Sequence, residues 1–211
     1  ANPFAPTGGP KDTMPPVALV SPKDTLLNYT GGNLIWAFDE HIQPIQKSNI
    51  SIIPSAALTI DQHGRSLIVA VDNMVDDVAY NLSISDAVKD NNEGNVFPPQ
   101  SLWITASEAL TNHTISFSTT ILPPNKDRAN FMSSVRCDNP TLLYPLVDNK
   151  RYGASLNHLQ ANFNYYYTWH WDSNSNGMVD SSERGNRTNL RFGDNNETII
   201  HSTPRKPIQI D

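Results

Sequence analysis

Residues 33–40 read NLIWAFDE, and in that run Leu34, Trp36 and Phe38 fall on one side of the chain at a period of two. Such alternation marks a strand that buries one face, because successive side chains of an extended chain point to opposite sides of a sheet. Residues 66–71 (SLIVAV) repeat the pattern with Leu67, Val69 and Val71, and residues 80–84 (YNLSI) with Tyr80, Leu82 and Ile84. Turn chemistry separates the runs: Gly31-Gly32 before the first, His63-Gly64 before the second, and residues 90–95 with Gly94 after the third. Strand-length runs spaced about every ten residues between turn clusters predict an antiparallel β-sandwich. Helical signals are few, since residues 72–78 place polar side chains where a helix needs its apolar stripe and residues 107–110 allow at most one turn.

The rest of the composition agrees with an all-β chain. Charged residues make up 17% of the 211, against about 25% in an ordinary soluble domain, and 16 Pro, 10 Gly and many Asn, Ser and Thr take their place. A hydrophobic content of 38% is enough to bury a core, and no run approaches the roughly 18 apolar residues of a membrane-spanning helix. A net charge of −6 argues against attraction to a phosphate backbone, so nucleic acid is not an expected partner. The single cysteine, Cys137, excludes an internal disulfide framework and any multi-cysteine metal site, and reads as a partly buried small hydrophobe. Residues 1–16 (ANPFAPTGGPKDTMPP) carry too much Pro and Gly for a helix or a central strand and are expected to form an extended tether. The tether shows no charged n-region or apolar h-region, so no targeting peptide is expected in it.

Residues 17–120 are expected to form the first sandwich domain. Residues 121–130 (ILPPNKDRAN) read as a linker, because Pro123-Pro124 and the charges after them stop regular structure. Residues 131–211 are expected to form a second, small β domain. Its clearest element is residues 163–171 (FNYYYTWHW), in which Phe163, Tyr165, Tyr167, Trp169 and Trp171 share one face of a strand. Such a row is either the core of the second unit or, if Tyr165, Tyr167 and Trp169 are exposed, a platform on which sugar rings stack. Residues 172–183 (DSNSNGMVDSSE) follow at once. Oxygen-bearing side chains stand at loop positions one, three, five, nine and twelve: Asp172, Asn174, Asn176, Asp180 and Glu183. Gly177 stands at position six, where a sharp turn is needed, and Met178 at seven offers its carbonyl. That spacing suits Ca²⁺, a hard cation that takes six to eight oxygens, and a set with only three carboxylates predicts a modest Kd of about 10⁻⁴ to 10⁻³ M. Asx-rich turns without metal share the same residue types.

No set of residues for catalysis stands out. There is no G-x-S-x-G elbow, H-E-x-x-H pair, P-loop or G-x-G-x-x-G run. In Asp39-Glu40-His41, neighbours on a strand would point to opposite faces, so the two acids are expected to form a polar strand end rather than a catalytic pair. The six histidines are scattered, and Asp76-Asp77 with Asp86 and Asp90 reads as a solvated acidic stretch. Asn-x-Ser/Thr triplets at Asn28, Asn49, Asn81, Asn112, Asn186 and Asn196 follow from an Asn-rich composition.

Residues 6–16 (PTGGPKDTMPP), the short apolar run at 17–20 ending in Ser21-Pro22, LIWAFDEHIQ, YNLSISDAVKDNNEGN and ISFST at 115–119 occur in an order that resembles bacterial Ig-like domains of the S-layer type. The order also resembles that of lipoproteins of Bacteroidota carrying this domain. One departure is the longer stretch between Asn95 and Phe117, where Pro98-Pro99 and Leu102-Trp103-Ile104 suggest an added edge segment. The resemblance implies an Ig-like sandwich followed by a small transthyretin-like β domain, a tether that follows a lipid-modified cysteine not in this sequence, and an outer-membrane location, periplasmic or surface-exposed. Together these readings lead to a non-enzymatic envelope module for scaffolding, adhesion or assembly with other envelope proteins. The alternative is a Ca²⁺-ordered carbohydrate-binding module.

Overall fold

The computed structural model describes residues 10–119, 131–145, 153–171, 185–190 and 201–202, with side-chain surroundings over 10–115, 134–144 and 156–166. The first eight strands are β1 (Ala18–Val20), β2 (Thr25–Leu26), β3 (Asn33–Phe38), β4 (Ile50–Ile53), β5 (Ala57–His63), β6 (Ser66–Asp72), β7 (Ala79–Ile84) and β8 (Gln100–Thr105). They make two four-stranded sheets, β1-β3-β6-β5 and β2-β8-β7-β4, antiparallel throughout except for the short parallel pair β2/β8. A 3-10 turn at Lys47–Asn49 is the sole helical element among the described residues. The chain is all-β, as its alternation predicts.

Register explains why the sheets stick. Across β3 and β6, Leu34 lies opposite Val69 and Trp36 opposite Leu67; in the other sheet Tyr80 faces Ile104 and Leu82 faces Leu102. Directly paired residues share a face, so each sheet presents continuous apolar rows, and all eight of these side chains are buried in one hydrophobic cluster. Phe38 and Phe97 meet edge to face at 5.0 Å in that cluster. The Trp36 indole N–H donates to Gln100 Oε1 at 3.0 Å, tying one sheet to the other and giving a buried donor its partner.

Two placements differ from the sequence reading. The segment after Pro98-Pro99 is no edge: β8 lies between β2 and β7, with Leu102 and Ile104 buried. Its prolines stand just before the first strand residue, where a missing N–H removes no bond from the ladder. The second difference concerns β9 (His113–Thr119), which the sequence groups with residues 17–120. It pairs antiparallel with β12 (Gly153–Leu159) and parallel with β15 (His201–Ser202), in the order β12-β9-β15. By hydrogen bonding, β9 therefore goes with residues 131–211. The remaining strands, β10 (Phe131–Cys137), β11 (Leu143–Pro145), β13 (Tyr165–Trp171) and β14 (Gly185–Leu190), form a fourth sheet, β11-β10-β13-β14. Residues 1–9 of the expected tether and residues 121–130 of the expected linker lie outside the described residues, apart from the sheet membership of their neighbours.

Contacts join this second set of strands to the first sandwich. Ser55 N–H donates to the Leu143 carbonyl at 2.8 Å, and the Gln160 amide donates to the Asp77 carbonyl. The Trp103 and His158 rings meet edge to face at 4.5 Å, and the His158 Nδ1 lies 2.5 Å from the Thr111 carbonyl oxygen. His158 has φ of 58°, at the point where the β9/β12 register shifts, so the bulge is what swings this ring towards Trp103.

The register makes a quantitative distinction within the first sheet. Leu67→Ala, at a fully buried position, is expected to lower unfolding free energy by about 2–5 kcal/mol in urea titration. Ile35→Ala, on the opposite and 41% exposed face, is expected to change it by about 0.5 kcal/mol or less.

Candidate interaction surface

The aromatic strand carries the alternative of the two ligand sites read from the sequence. Tyr165, at the start of β13, is 2% exposed, with its ring edge-on to Tyr144 at a centroid distance of 6.0 Å and to Phe163 at 6.4 Å. Its hydroxyl accepts the Gln160 backbone N–H at 3.0 Å and hydrogen-bonds the Tyr144 hydroxyl. A ring enclosed on this scale has no face left for a sugar, so Tyr165 is a core residue and not part of a stacking platform. The side chains of Tyr167 and Trp169 lie outside those described, as do Asp172, Asn174, Asn176, Met178, Asp180 and Glu183 of the loop predicted to bind Ca²⁺. Cys137 is buried beside the tyrosines, with its thiol 3.5 Å from the Asn139 carbonyl oxygen, and burial pushes its ionisation up.

The acids near residue 40 sit closer together than their spacing in sequence suggests. Asp39 Oδ1 accepts the Val17 N–H at 2.9 Å, the Asp39 N–H donates to the Val17 carbonyl at 3.1 Å, and the Asp39 carbonyl accepts Arg65 Nη1 at 2.6 Å. One residue thus fastens the end of β3 to the start of β1 and to the β5–β6 turn. Asp90 is 1% exposed, and its carboxylate accepts N–H groups of Glu93 and Gly94, both at 2.7 Å, and of Asn95 at 3.0 Å. Burial pushes this carboxyl up, but the amides of Gly94, Glu93 and Asn95 together outweigh it and hold Asp90 below the usual carboxylate range. Gly94, at φ of 78°, supplies the left-handed residue that lets the turn curl around the acid.

Asp12 joins this group because Asn95 Nδ2 donates to its carbonyl at 3.2 Å, while its own carboxylate accepts the Met14 N–H at 2.9 Å. Glu40 is pushed up by burial and then by the negative charges of Asp90, Asp39, Asp12 and Glu93. Sequence spacing separates these acids by up to 81 positions, and the pairing of residues 41–43 with 89–91 and the Asn95–Asp12 bond bring them together. Among the described residues, no group of three or more His, Cys, Asp or Glu side chains has a metal-holding arrangement.

Beside the acids runs an apolar edge. Met14, Val17, Leu19 and Val20 are 66%, 50%, 69% and 55% exposed, and β1 ends its sheet with β3 on one side. The alternation of buried strands gave no warning of this edge, because residues 17–20 are apolar without a period. No protein-family model matches this chain, and no curated protein matches it.

The buried tyrosines give a pH prediction. Burial, ahead of all other causes, pushes Tyr165 up to about 12 from 10.0 and raises Tyr144 further. The neutral phenols favour the folded state, so their contribution is fully present below pH about 10 and is lost as pH rises through the folded values. In an alkaline titration, phenolate absorbance from these two rings is expected to rise together with unfolding seen by circular dichroism. Tyr165→Phe should remove one of the late-titrating phenols.

Proposed function

We propose that this chain is a non-enzymatic cell-envelope module, of the outer-membrane lipoprotein type, that works by holding protein partners in scaffolding, adhesion or assembly. The observation that carries the reading is the exposed apolar edge of β1, which is held in place by Asp39 while large side chains fill the interior behind it. A contiguous apolar strip on a sheet edge is characteristic of protein contact surfaces. The acids that drew attention in the sequence are engaged in structure, Asp90 in closing a turn and Asp39 in clamping two strands. Attachment to the membrane is assigned to a lipid group ahead of the tether, on the strength of the resemblance alone.

Chemical crosslinking of the protein in its host envelope, followed by purification under denaturing conditions, tests the reading. Recovery of the same envelope proteins in fixed ratio supports it. Recovery of the chain uncrosslinked overturns it, as does turnover of a small molecule by the purified chain.

The spacing of residues 172–183 favours a structural Ca²⁺ ion within the same module. Calorimetric titration is expected to give a Kd of about 10⁻⁴ to 10⁻³ M, weakened at least about tenfold in Asp172→Ala. Negligible heat from both proteins overturns the assignment. With the Tyr165 ring in the core, a carbohydrate role has lost one of its three proposed stacking residues.

A further inference from the structure

The strip at residues 14–20 combines two features that are separately common and together specific. The first is an open edge. β1 bonds β3 on one side and faces no described strand on the other, so it presents backbone N–H and C=O groups able to extend the sheet. Edge strands are commonly guarded by a lysine or another charge, yet residues 17–20 are Val, Ala, Leu and Val. Pro15-Pro16 before them and Pro22 after them limit any added strand to a short length.

The second feature is charge. Asp39 is hydrogen-bonded to Val17 at the start of the strip, and Asp12 to Met14 just ahead of it. Glu40, Asp90 and Glu93 add further negative charge, and that of Asp90 and Glu93 acts after burial in pushing Glu40 up. Counter-charge is scarce: residues 1–115 hold twelve acidic side chains against five basic ones, and of the five, Arg65 is engaged with the Asp39 carbonyl. An apolar edge next to under-compensated carboxylates is complementary to a strand that alternates apolar and cationic residues.

We propose that the free edge of β1 is a docking site for an extended, cationic segment of a partner protein, which joins the sheet as an additional strand with apolar side chains on the face of Val17 and Leu19 and Lys or Arg beside Asp12, Asp39 and Glu40. The proposal deepens the partner-holding reading and rests on it.

The probe is an end-capped, fluorescently labelled peptide alternating valine and lysine over seven residues, with a valine–glutamate peptide as its control, titrated against the full chain by anisotropy. The lysine peptide is expected to bind at least about tenfold more tightly than the glutamate peptide, and less tightly as salt is raised. Leu19→Lys, a change at an exposed position, is expected to weaken the lysine peptide. Glu40→Gln is expected to do so while leaving the circular dichroism spectrum unchanged. Equal binding of the two peptides, no binding, or binding indifferent to both variants overturns the proposal. So does self-association of the chain in sedimentation that Leu19→Lys abolishes, because a second copy would then be the occupant. If crosslinking captures fixed envelope partners while the peptide fails to bind, this docking site falls and the partner-holding reading stands; if crosslinking captures none, the reading itself falls.

Discussion

Two pleated apolar faces pressed together are the constraint on which the rest of the first sandwich depends. Leu34, Trp36 and Phe38 on one sheet, and Tyr80, Leu82 and Ile84 on the other, are all buried in the same cluster. Full burial of side chains of this size is worth about 1.5–3 kcal/mol each, before the entropy of ordering the chain is subtracted. A slip of one residue in either sheet would turn its whole apolar set to solvent, so burial fixes register as well as stability. The Trp36–Gln100 hydrogen bond adds specificity: the one polar atom on the largest core side chain has a partner only when the sheets sit in this alignment.

Side-chain anchors then shape what the core leaves at the periphery. Asp90 spends its carboxylate on three backbone amides, converting residues 90–95 from a floppy polar run into a defined turn. Asp39 does similar work between β1, β3 and the β5–β6 turn. Both acids are structural, and both help to gather negative charge next to β1. An apolar edge and an acidic flank therefore arise from the same hydrogen bonds that finish the fold.

The second set of strands is joined to the first through contacts that span long stretches of sequence. Trp103 with His158, Ser55 with Leu143 and Gln160 with Asp77 link positions 55–88 residues apart. The strand β9 follows β8 closely in the chain but pairs with β12 and β15. Chain proximity and sheet membership are thus different things at this point, although Ile115 of β9 is buried in the same hydrophobic cluster as the first sandwich.

The residues alone determined the all-β class, the burial of alternate positions in β3, β6 and β7, and the turn at residues 90–95, because each of these rests on a local period or on turn chemistry. They also marked Cys137 as a partly buried small hydrophobe, which the structure buries fully, and Asp39-Glu40 as a strand end. Partnering was not legible: ISFST announces a strand but carries no information about its neighbours, and Pro98-Pro99 suggests an edge when read without the strand that β8 pairs on each side. Nor was the fate of Tyr165, since an alternating aromatic row looks the same whether it faces a core or a ligand. Only the tertiary structure chose, because long-range pairing and burial depend on which segments meet in space, and alternation along one segment is silent about what lies across from it.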